Sequence, residues 1–361
     1  MNLTAGENEL LPHPAADTVR RMSADIVAFD PLDPGRATLL DGWLAAYEAS
    51  ARVEYGDDHS TFSADECRAI YRNQHDERRL AWAAVLDGQV LGALDVHLPV
   101  HDNRHRLEAS IAVHPDFRRR GIGTALLDQA ERAARSEGRT VIGAESDVAA
   151  GHDDPAAGFA ARHGFVAALR DLRSALPVPT SADALDEAHI EAQKHADGYE
   201  TLTSWDRIPD EWLADRAVLA QRMSTDAPRG QLDTTETAWD EDRVRRFVES
   251  ALEQGRRLVE TVARHRDTGR LVAFTTIGIA KQTPERAYQW DTLVLREHRG
   301  HRLGQLIKAV NLQALITELP EVRRVLTWNA TENEPMLRVN RALGFAPAGH
   351  LTEWQKALSG R

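Results

Sequence analysis

Apolar and polar positions follow the same plan at two places along the chain. At residues 106–113 apolar residues alternate with polar ones, and a basic turn containing glycine then leads into an amphipathic run. Residues 287–295 lead through a similar turn into a second amphipathic run at 304–319. Alternation with a period of two indicates a half-buried strand, and apolar spacings of three and four indicate a helix. Each place is therefore predicted to be a strand, a turn and a helix.

The same reasoning predicts the elements around these two places, and Ser63 with Glu66 forms a capping-box signal at the start of one helix. In the first half we expect helices at 37–51, 63–73, 121–136 and 155–163, and strands at 24–29, 79–86, 89–98, 106–113, 140–144 and 165–176. In the second half we expect helices at 183–195, 209–223, 239–264, 304–319 and 334–343, and strands at 271–279, 287–295, 324–328 and 345–358.

Corresponding landmarks in the two halves keep an almost constant spacing. Gly123 corresponds to Gly304 and Gly164 to Gly344, and the elements between these landmarks come in the same order. A repeat this long indicates two similar domains rather than a solenoid. We therefore predict an α/β chain built by tandem duplication. Its predicted parts are a polar tail at 1–22, a first domain at 23–176, a linker at 177–190 and a second domain at 191–361.

The composition is that of a globular chain, and it argues against some kinds of binding partner. The chain has 361 residues and a formal net charge of −12, which argues against non-specific binding to nucleic acid. No apolar run reaches the length of a membrane helix, and the polar start of the chain does not resemble a signal peptide. One cysteine, Cys67, fits a reducing cytoplasm. No histidine pair has metal-ligand spacing, so we expect no metal site.

The basic turns have the features of an anion-binding site. A helix N-terminus carries unpaired N–H groups and a partial positive charge, and glycines allow a diphosphate to approach the backbone. Gly121 and Gly123 provide this in the first copy, beside three consecutive arginines at 118–120. The pattern is not a Walker loop, because no Gly-Lys-Ser/Thr follows. It is not a dinucleotide-binding fingerprint either, because the third glycine is missing and the preceding strands are not a parallel series.

Segment 113–123 followed by 163–165, and segment 299–304 followed by 340–345, resemble the GNAT superfamily of acyl-CoA N-acyltransferases. Among tandem members the chain looks like mycothiol synthase-like actinobacterial acetyltransferases. The resemblance implies a mixed, mostly antiparallel sheet in each domain, flanked by helices, whose fourth and fifth strands splay apart around acetyl-CoA. It also implies that the amine attacks the thioester directly, that a carboxylate accepts the amine proton, and that a tyrosine often protonates the leaving thiolate.

The resemblance assigns the cofactor-binding residues to the two turns and to the ends of the preceding strands. In the first copy they are Val113, Arg118, Arg119, Arg120, Gly121, Ile122, Gly123 and Thr124. In the second copy they are Val294, Arg299, Gly300, His301, Arg302, Leu303 and Gly304. Asn329, Asn333 and Asn340 cluster nearby, and we expect them either to bind coenzyme A or substrate amides or to serve as caps and turns.

Both copies depart from the family pattern. Arg302 stands where the first copy has Gly121, and its side chain either blocks the diphosphate or points outward, with Gly300 supplying the backbone freedom. The usual tyrosine position, five residues before the phenylalanine of Gly-Phe, holds Ala160 in the first half and Asn340 in the second. Neither residue is a normal general acid.

A general base must lie near the splayed strands. Glu108 is on the polar side of its strand in the first half, and its counterpart by an offset of 181 is Gln289, which cannot accept a proton. Asp291, between Trp290 and Thr292, is the acidic candidate in the second half. The intact turn favours the first half as the catalyst, and the concentration of polar residues favours the second.

We therefore expect an acetyl-CoA-dependent N-acetyltransferase that acts on a small-molecule amine, with Glu108 and Asp291 as candidate bases. Binding to nucleic acid or a membrane is not expected. Two alternatives stay open at this point. One is a catalytically silent sensor or scaffold that binds coenzyme A, and the other is a protein N-acetyltransferase.

Overall fold

The structure, a computed structural model, describes residues 23–56, 59, 61–178 and 182–358. The predicted tail at 1–22 lies outside the described residues. The helices are α1 (Ala37–Tyr55), α2 (Ala64–Arg72), α3 (Ile122–Ser136), α4 (Ala157–Arg162), α5 (Ala182–Gln193), α6 (Leu213–Asp226), α7 (Glu241–Glu253), α8 (Leu303–Glu318) and α9 (Glu334–Ala342). The strands are β1 (Asp25–Phe29), β2 (Glu77–Leu86), β3 (Gln89–Pro99), β4 (Arg106–Val113), β5 (Val141–Ala149), β6 (Val166–Pro177), β7 (Tyr199–Trp205), β8 (Arg256–His265), β9 (Leu271–Ala280), β10 (Arg286–Val294), β11 (Arg324–Ala330) and β12 (Ala346–Ala357).

Most predicted elements form where the pattern places them. The capping box at the start of α2 is confirmed, because Ser63 accepts from the Glu66 N–H and the Glu66 side chain accepts from the Ser63 N–H. The predicted helix at 239–264 is wrong in its second part. Helix α7 ends before Gly255, whose φ is +74°, and the apolar residues that follow form β8. Strand β7 was not predicted.

The predicted linker at 177–190 contains ordered elements. Pro177 ends β6, and residues from Ala182 onward form α5, which packs on α8. Gln305 of α8 donates a hydrogen bond to the Ala188 carbonyl at 3.1 Å. Residues 179–181 lie outside the described part of the chain. The exact domain boundary stays a prediction.

The two halves share one twelve-stranded sheet in which they exchange their last strands. Its order is β1-β2-β3-β4-β5-β12-β6-β11-β10-β9-β8-β7. Strand β12, from the second half, pairs with β5 from Gly349–Ala149 to Ala357–Val141. Strand β6, from the first half, pairs with β11 in the same antiparallel way, and β6 and β12 also pair with each other. The sequence predicted two sheets and did not predict this exchange.

The cores are exchanged together with the strands. Trp354 of β12 packs in the first-half core with residues of α3, and its Nε1 donates to Ser146 Oγ at 2.8 Å. Leu176 of β6 is 1% exposed and packs in the second-half core with residues of α8. Each half therefore needs apolar side chains from the other, since truncating a large buried side chain to alanine typically costs about 2–5 kcal/mol of stability.

Each half contains a gap where two parallel strands separate. Strands β4 and β5 pair only from Arg106–Val141 to Glu108–Gly143, and they diverge beyond this point to form the first gap. Strands β10 and β11 pair only over three residues at the start of each strand, and they diverge to form the second gap. The splayed mixed sheet implied by the resemblance is confirmed. No helix of the described residues is long and apolar enough to cross a membrane.

Helices α1, α2, α6 and α7 cover one face of the sheet, which we call the acceptor face. Helix α2 contacts α7, and Arg246 of α7 pairs with Asp76 after α2. Helices α3, α4, α5, α8 and α9 cover the other face, which we call the helix α8 face. Their apolar residues form the two largest core clusters with the strands.

The exchanged core predicts which half each mutation disturbs. We expect Trp354→Ala to cost about 3–5 kcal/mol, and to raise amide exchange mainly in α3 and β5, although Trp354 belongs to the second half of the sequence. Leu176→Ala is the matched change, and its effect should appear mainly in α8. Hydrogen exchange read by mass spectrometry checks both. A Trp354→Ala effect confined to α8 and α9 would contradict the exchange.

Candidate functional site

The two turns keep the same backbone shape with the glycine in different places. Helix α3 begins after Gly121 with φ +91°, and α8 begins after Arg302 with φ +51°. Two residues earlier, Arg119 has φ +65° and Gly300 has φ +91°. Both turns thus need two left-handed residues, and each supplies one glycine and one arginine, in opposite order. Arg302 therefore preserves the turn rather than breaking it.

Arg302 points away from the turn. Its Nη1 donates to Glu191 Oε1 of α5 at 3.0 Å, and the side chain is 43% exposed. Of the two orientations considered from the sequence, the structure has the outward one. The Arg302 side chain is therefore held by α5 and not by the first turn of α8.

Arg118 and Arg299, both predicted to bind phosphate, hold the ends of their own strands. Arg118 Nε donates to the Val113 carbonyl at 3.2 Å, and Arg299 Nε donates to the Val294 carbonyl at 3.1 Å. The Nη2 atom of each arginine pairs with an acidic side chain, Glu54 for Arg118 and Asp226 for Arg299. These arginines fix the geometry of each strand end.

The other predicted residues of the turns differ in what they can offer a ligand. Ile122 and Leu303 are each 2% exposed, so only their backbone can face a diphosphate. Gly123 and Gly304 lie against the strand valines, because a Cβ on either would be 3.7 Å from Val113 Cγ2 or Val294 Cγ2. The remaining side chains contact aromatic rings or each other: Arg120 over Phe117, His301 beside Tyr199, and Thr124 with His163.

The difference between the turns predicts unequal tolerance of alanine. Gly300→Ala should destabilise the protein by about 1–2 kcal/mol, because an L-residue pays that cost in the left-handed region. Arg119→Ala changes the matching position, which already holds an L-residue. The free energy of unfolding of this variant should stay within about 0.5 kcal/mol of the wild-type value. Urea unfolding measures both. Equal losses from the two substitutions would show that backbone strain does not set the cost.

Strand β10 contains a bulge that has no counterpart in β4. Gln289 pairs with Ile277 and Thr292 pairs with Thr275, so β10 carries one extra residue between these pairs. Strand β4 pairs with β3 without interruption. The residue that occupies the place of Glu108 is therefore Tyr288, and the assignment of Gln289 as its counterpart is wrong. A constant difference in residue number between the halves fails on the far side of a bulge, because the bulge adds a residue to one strand only.

The bulge turns two neighbouring side chains to the same face. Trp290 lies over Gly278 and contacts Phe247 of α7, with ring centroids 5.6 Å apart. Asp291, the next residue, interacts with Arg216 of α6. In a regular strand these neighbours would point to opposite faces. Gln289 completes the bulge, since its Nε2 donates to the Thr276 carbonyl at 2.8 Å.

Asp291 is exposed to solvent on the acceptor face, although protein atoms lie close around its carboxylate. This desolvation raises the pKa of Asp291 above its ordinary value, and the carboxylate of Glu260 adds to the effect while Arg216 opposes it. A carboxylate with a raised pKa that solvent can reach is a suitable proton acceptor.

Glu108 has a different environment. It accepts a hydrogen bond from Arg106 Nε at 2.8 Å, and its side chain is 38% exposed. Its carboxylate covers Gly143 on β5, where any Cβ would clash with it. Glu108 thus pairs with Arg106 and covers Gly143 at the apex of the first gap, and its role as a base stays a prediction.

Sequence reasoning missed an acidic group on the acceptor face. Glu145 stands opposite Glu353 in the pairing of β5 with β12, and Asp147 and Asp171 both pair with Leu351. Burial and mutual repulsion raise the pKa of Glu353 to about 7, and burial with the Asp147 charge raises that of Asp171 to about 6. The alternation in β5 was a usable signal, but the predicted strand ended at residue 144.

Aromatic residues line the acceptor face beside the second gap. Tyr288 and Trp328 stack across the apex of that gap, with ring centroids 6.2 Å apart and planes 12° apart. Trp328 Nε1 donates to Asp147 Oδ2 at 2.9 Å, and so joins the second gap to the acidic group. The face beside the second gap is therefore aromatic on one side and acidic on the other.

Residues 43–165 match the model of the acetyltransferase (GNAT) family. A solved tandem GNAT protein from the clavulanic acid biosynthesis pathway is 28% identical, with a TM-score of 0.75, over 93% of this chain and 99% of that one. Residues 43–165 therefore contain a GNAT acetyltransferase domain, and the chain as a whole is similar to a tandem GNAT protein. The narrower resemblance to mycothiol synthase-like enzymes stays a prediction.

Two further structures share the fold of this tandem GNAT chain. A GCN5-related N-acetyltransferase from Sphaerobacter thermophilus is 17% identical with a TM-score of 0.62, over 93% of this chain and 96% of that one. A fungal multi-domain GH3 β-N-acetylglucosaminidase with a glucosamine N-acetyltransferase region is 13% identical with a TM-score of 0.62. The match covers 92% of this chain and 38% of that one. A search of curated proteins finds no match.

The asparagines of the second GNAT half have separate roles. Asn333 caps α9, since its Oδ1 accepts from the Met336 N–H at 3.4 Å. Asn340 is 2% exposed and donates from Nδ2 to Asn329 Oδ1 at 2.6 Å. Its Oδ1 accepts from Lys308 Nζ of α8, also at 2.6 Å. The sequence placed Asn329 and Asn340 together correctly but did not single out Lys308.

Proposed function

We propose that the protein transfers an acetyl group from acetyl-CoA to the amine of a small molecule, and that this transfer takes place in the second gap. The observation that carries the proposal is the bulge of β10. It directs Asp291 to the acceptor face beside the gap, where solvent reaches the side chain and the surrounding protein raises the pKa of the carboxylate. The first half has neither a bulge nor a carboxylate at the corresponding place.

The fold supports acetyl-CoA as the donor. The GNAT family generally uses this donor, and both turns offer an open backbone at a helix N-terminus. A Cβ on Gly300 would meet nothing within 4 Å, so the second turn has room for a diphosphate. In this proposal the turn from Arg299 to Gly304 binds the donor for transfer, and the turn from Arg118 to Thr124 binds a second coenzyme A or maintains the architecture.

The acceptor face supports a cationic amine as the acceptor. The stacked Tyr288 and Trp328 present ring surfaces that attract cations, and the carboxylates of Glu145, Asp147, Asp171 and Glu353 add negative potential. The tandem GNAT protein of 28% identity comes from the clavulanic acid biosynthesis pathway, which favours a small molecule over a protein acceptor.

Asp291 would serve as the base in the reaction. It takes the proton from the amine nitrogen as that nitrogen bonds to the acetyl carbon, and the carbon–sulfur bond breaks with its electron pair on sulfur. The base must be deprotonated to act. Because the pKa of Asp291 is raised, transfer should increase as the pH rises through a value above the ordinary range of aspartate.

Asp291→Asn tests the role directly, because it keeps the shape of the residue and removes its basicity. We expect kcat for acetyl transfer to fall about 100-fold or more. Glu108→Gln is the matched change in the first half and should leave kcat within about threefold. A thiol-release assay with a panel of mono- and diamines measures both, with the pH profile of the wild type. A large loss from Glu108→Gln alone would move the reaction to the first gap.

A further inference from the structure

Lys308 of α8 is a buried lysine whose ammonium contacts an amide and an aromatic ring. It is 1% exposed on the helix α8 face, and its Nζ contacts Asn340 Oδ1 at 2.6 Å and lies 5.2 Å from the centre of the Phe345 ring. No carboxylate of the described residues pairs with it, and burial lowers its pKa to about 7. Burying an amine without an opposite charge reduces the stability of a protein.

The first half provides an internal control for this position. Leu127 lies at the place of Lys308 in α3, and Ala160 lies at the place of Asn340 in α4. Both are buried in the first-half core. The same fold therefore forms with an apolar pair at these two places. A buried polar pair at places where the other copy has apolar residues indicates a role in function.

The hydrogen bonds of Lys308 run in one direction, toward the second gap. Lys308 Nζ donates to Asn340 Oδ1, and Asn340 Nδ2 donates to Asn329 Oδ1 at 2.6 Å. Asn329 lies on β11 beyond Leu326, the last residue that pairs with β10, and so on the wall of the gap. Its own Nδ2 makes no hydrogen bond to the described residues. The chain of donors thus ends in an N–H group available to a ligand.

We propose that Asn329 Nδ2 donates a hydrogen bond to the carbonyl oxygen of the acetyl thioester, and that Lys308 strengthens this bond through Asn340. Negative charge develops on that oxygen as the amine bonds to the acetyl carbon, and it passes to sulfur when the carbon–sulfur bond breaks. A donor aimed at developing charge typically lowers the barrier enough to change the rate 10²–10³-fold. A nearby positive charge polarises the amides and makes each a better donor. The inference rests on the proposed function of the second gap.

The three residues have distinct roles. Asn329 is a catalytic residue, because it contacts the reacting thioester. Lys308 and Asn340 are positioning residues that act through it. The described residues supply no charged group that shifts the pKa of Lys308, and burial is the cause of its low value. The ammonium is present below pH 7 and is lost as the pH rises past about 7, so its assistance should decline over the same range.

The double substitution Lys308→Leu with Asn340→Ala installs the apolar pair of the first half, and of this chain of donors it leaves only the half-buried Asn329 amide, without its hydrogen bond from Asn340. We expect kcat to fall 30-fold or more, KM for acetyl-CoA to change less than threefold, and the urea midpoint to stay equal or rise. The decline of kcat above pH 7 should disappear in this variant. Lys308→Arg, which stays charged, should keep kcat within tenfold of the wild type and move the decline to higher pH.

Leu127→Met in the first half is the control and should change neither kcat nor the pH profile. An unchanged kcat in the double variant would overturn the proposal. Parallel loss of stability and activity would overturn it too, because that result indicates a merely structural pair.

A spectroscopic measurement keeps the inference separate from the proposed function. Difference infrared spectra of the full chain with carbonyl-labelled acetyl-CoA should contain a band shifted to lower frequency by the Asn329 hydrogen bond. Asn329→Ala and the double variant should both lose this shifted band, while Asp291→Asn should keep it. If Asp291→Asn abolishes transfer and no band depends on Asn329, this inference fails alone. If the band behaves as expected and no amine is acetylated, the proposed function fails and the thioester contact stands.

Discussion

The antiparallel pairing of β6 with β12 is the interaction on which the rest of the molecule depends. Each of these strands belongs to one half of the chain and completes the sheet of the other, so neither half has its full set of backbone hydrogen bonds alone. Trp354 of β12 packs in the core of the first half, and Leu176 of β6 packs in the core of the second half. The pairing fixes the distance between the two gaps and assembles the acidic residues of β5, β6 and β12 on one face.

Duplication allowed the two copies to diverge while the fold stayed the same. At matched places one copy has Leu127 and Ala160, and the other has Lys308 and Asn340. One copy has a regular β4, and the other has a bulge that exposes Asp291. Each difference adds a polar group to the second gap, and each weakens local packing or pairing. Such costs are common where residues serve chemistry rather than stability.

The sequence was sufficient for the repeat, the splayed strands and the two turns, because glycines, caps and apolar spacing are local signals. It was insufficient for the strand exchange, because β6 and β12 have similar patterns and either pairing satisfies them. The bulge was missed because alternation in β10 was assumed to continue through Trp290 and Asp291. Lys308 was overlooked although alignment of the repeats places it opposite Leu127, where a charge is out of place. Asn329 and Asn340 were grouped correctly, but their connection to a buried cation depends on tertiary contacts.

The most direct test of the account compares Gly123→Glu with Gly304→Glu in steady-state acetyl transfer. The two glycines occupy the same place in the two turns, and each has room for a Cβ in ordinary van der Waals contact. A carboxylate at either place repels the diphosphate of the donor. The account predicts that Gly304→Glu abolishes transfer and that Gly123→Glu retains kcat within about tenfold of the wild type. Loss of transfer in Gly123→Glu with normal turnover in Gly304→Glu would contradict it.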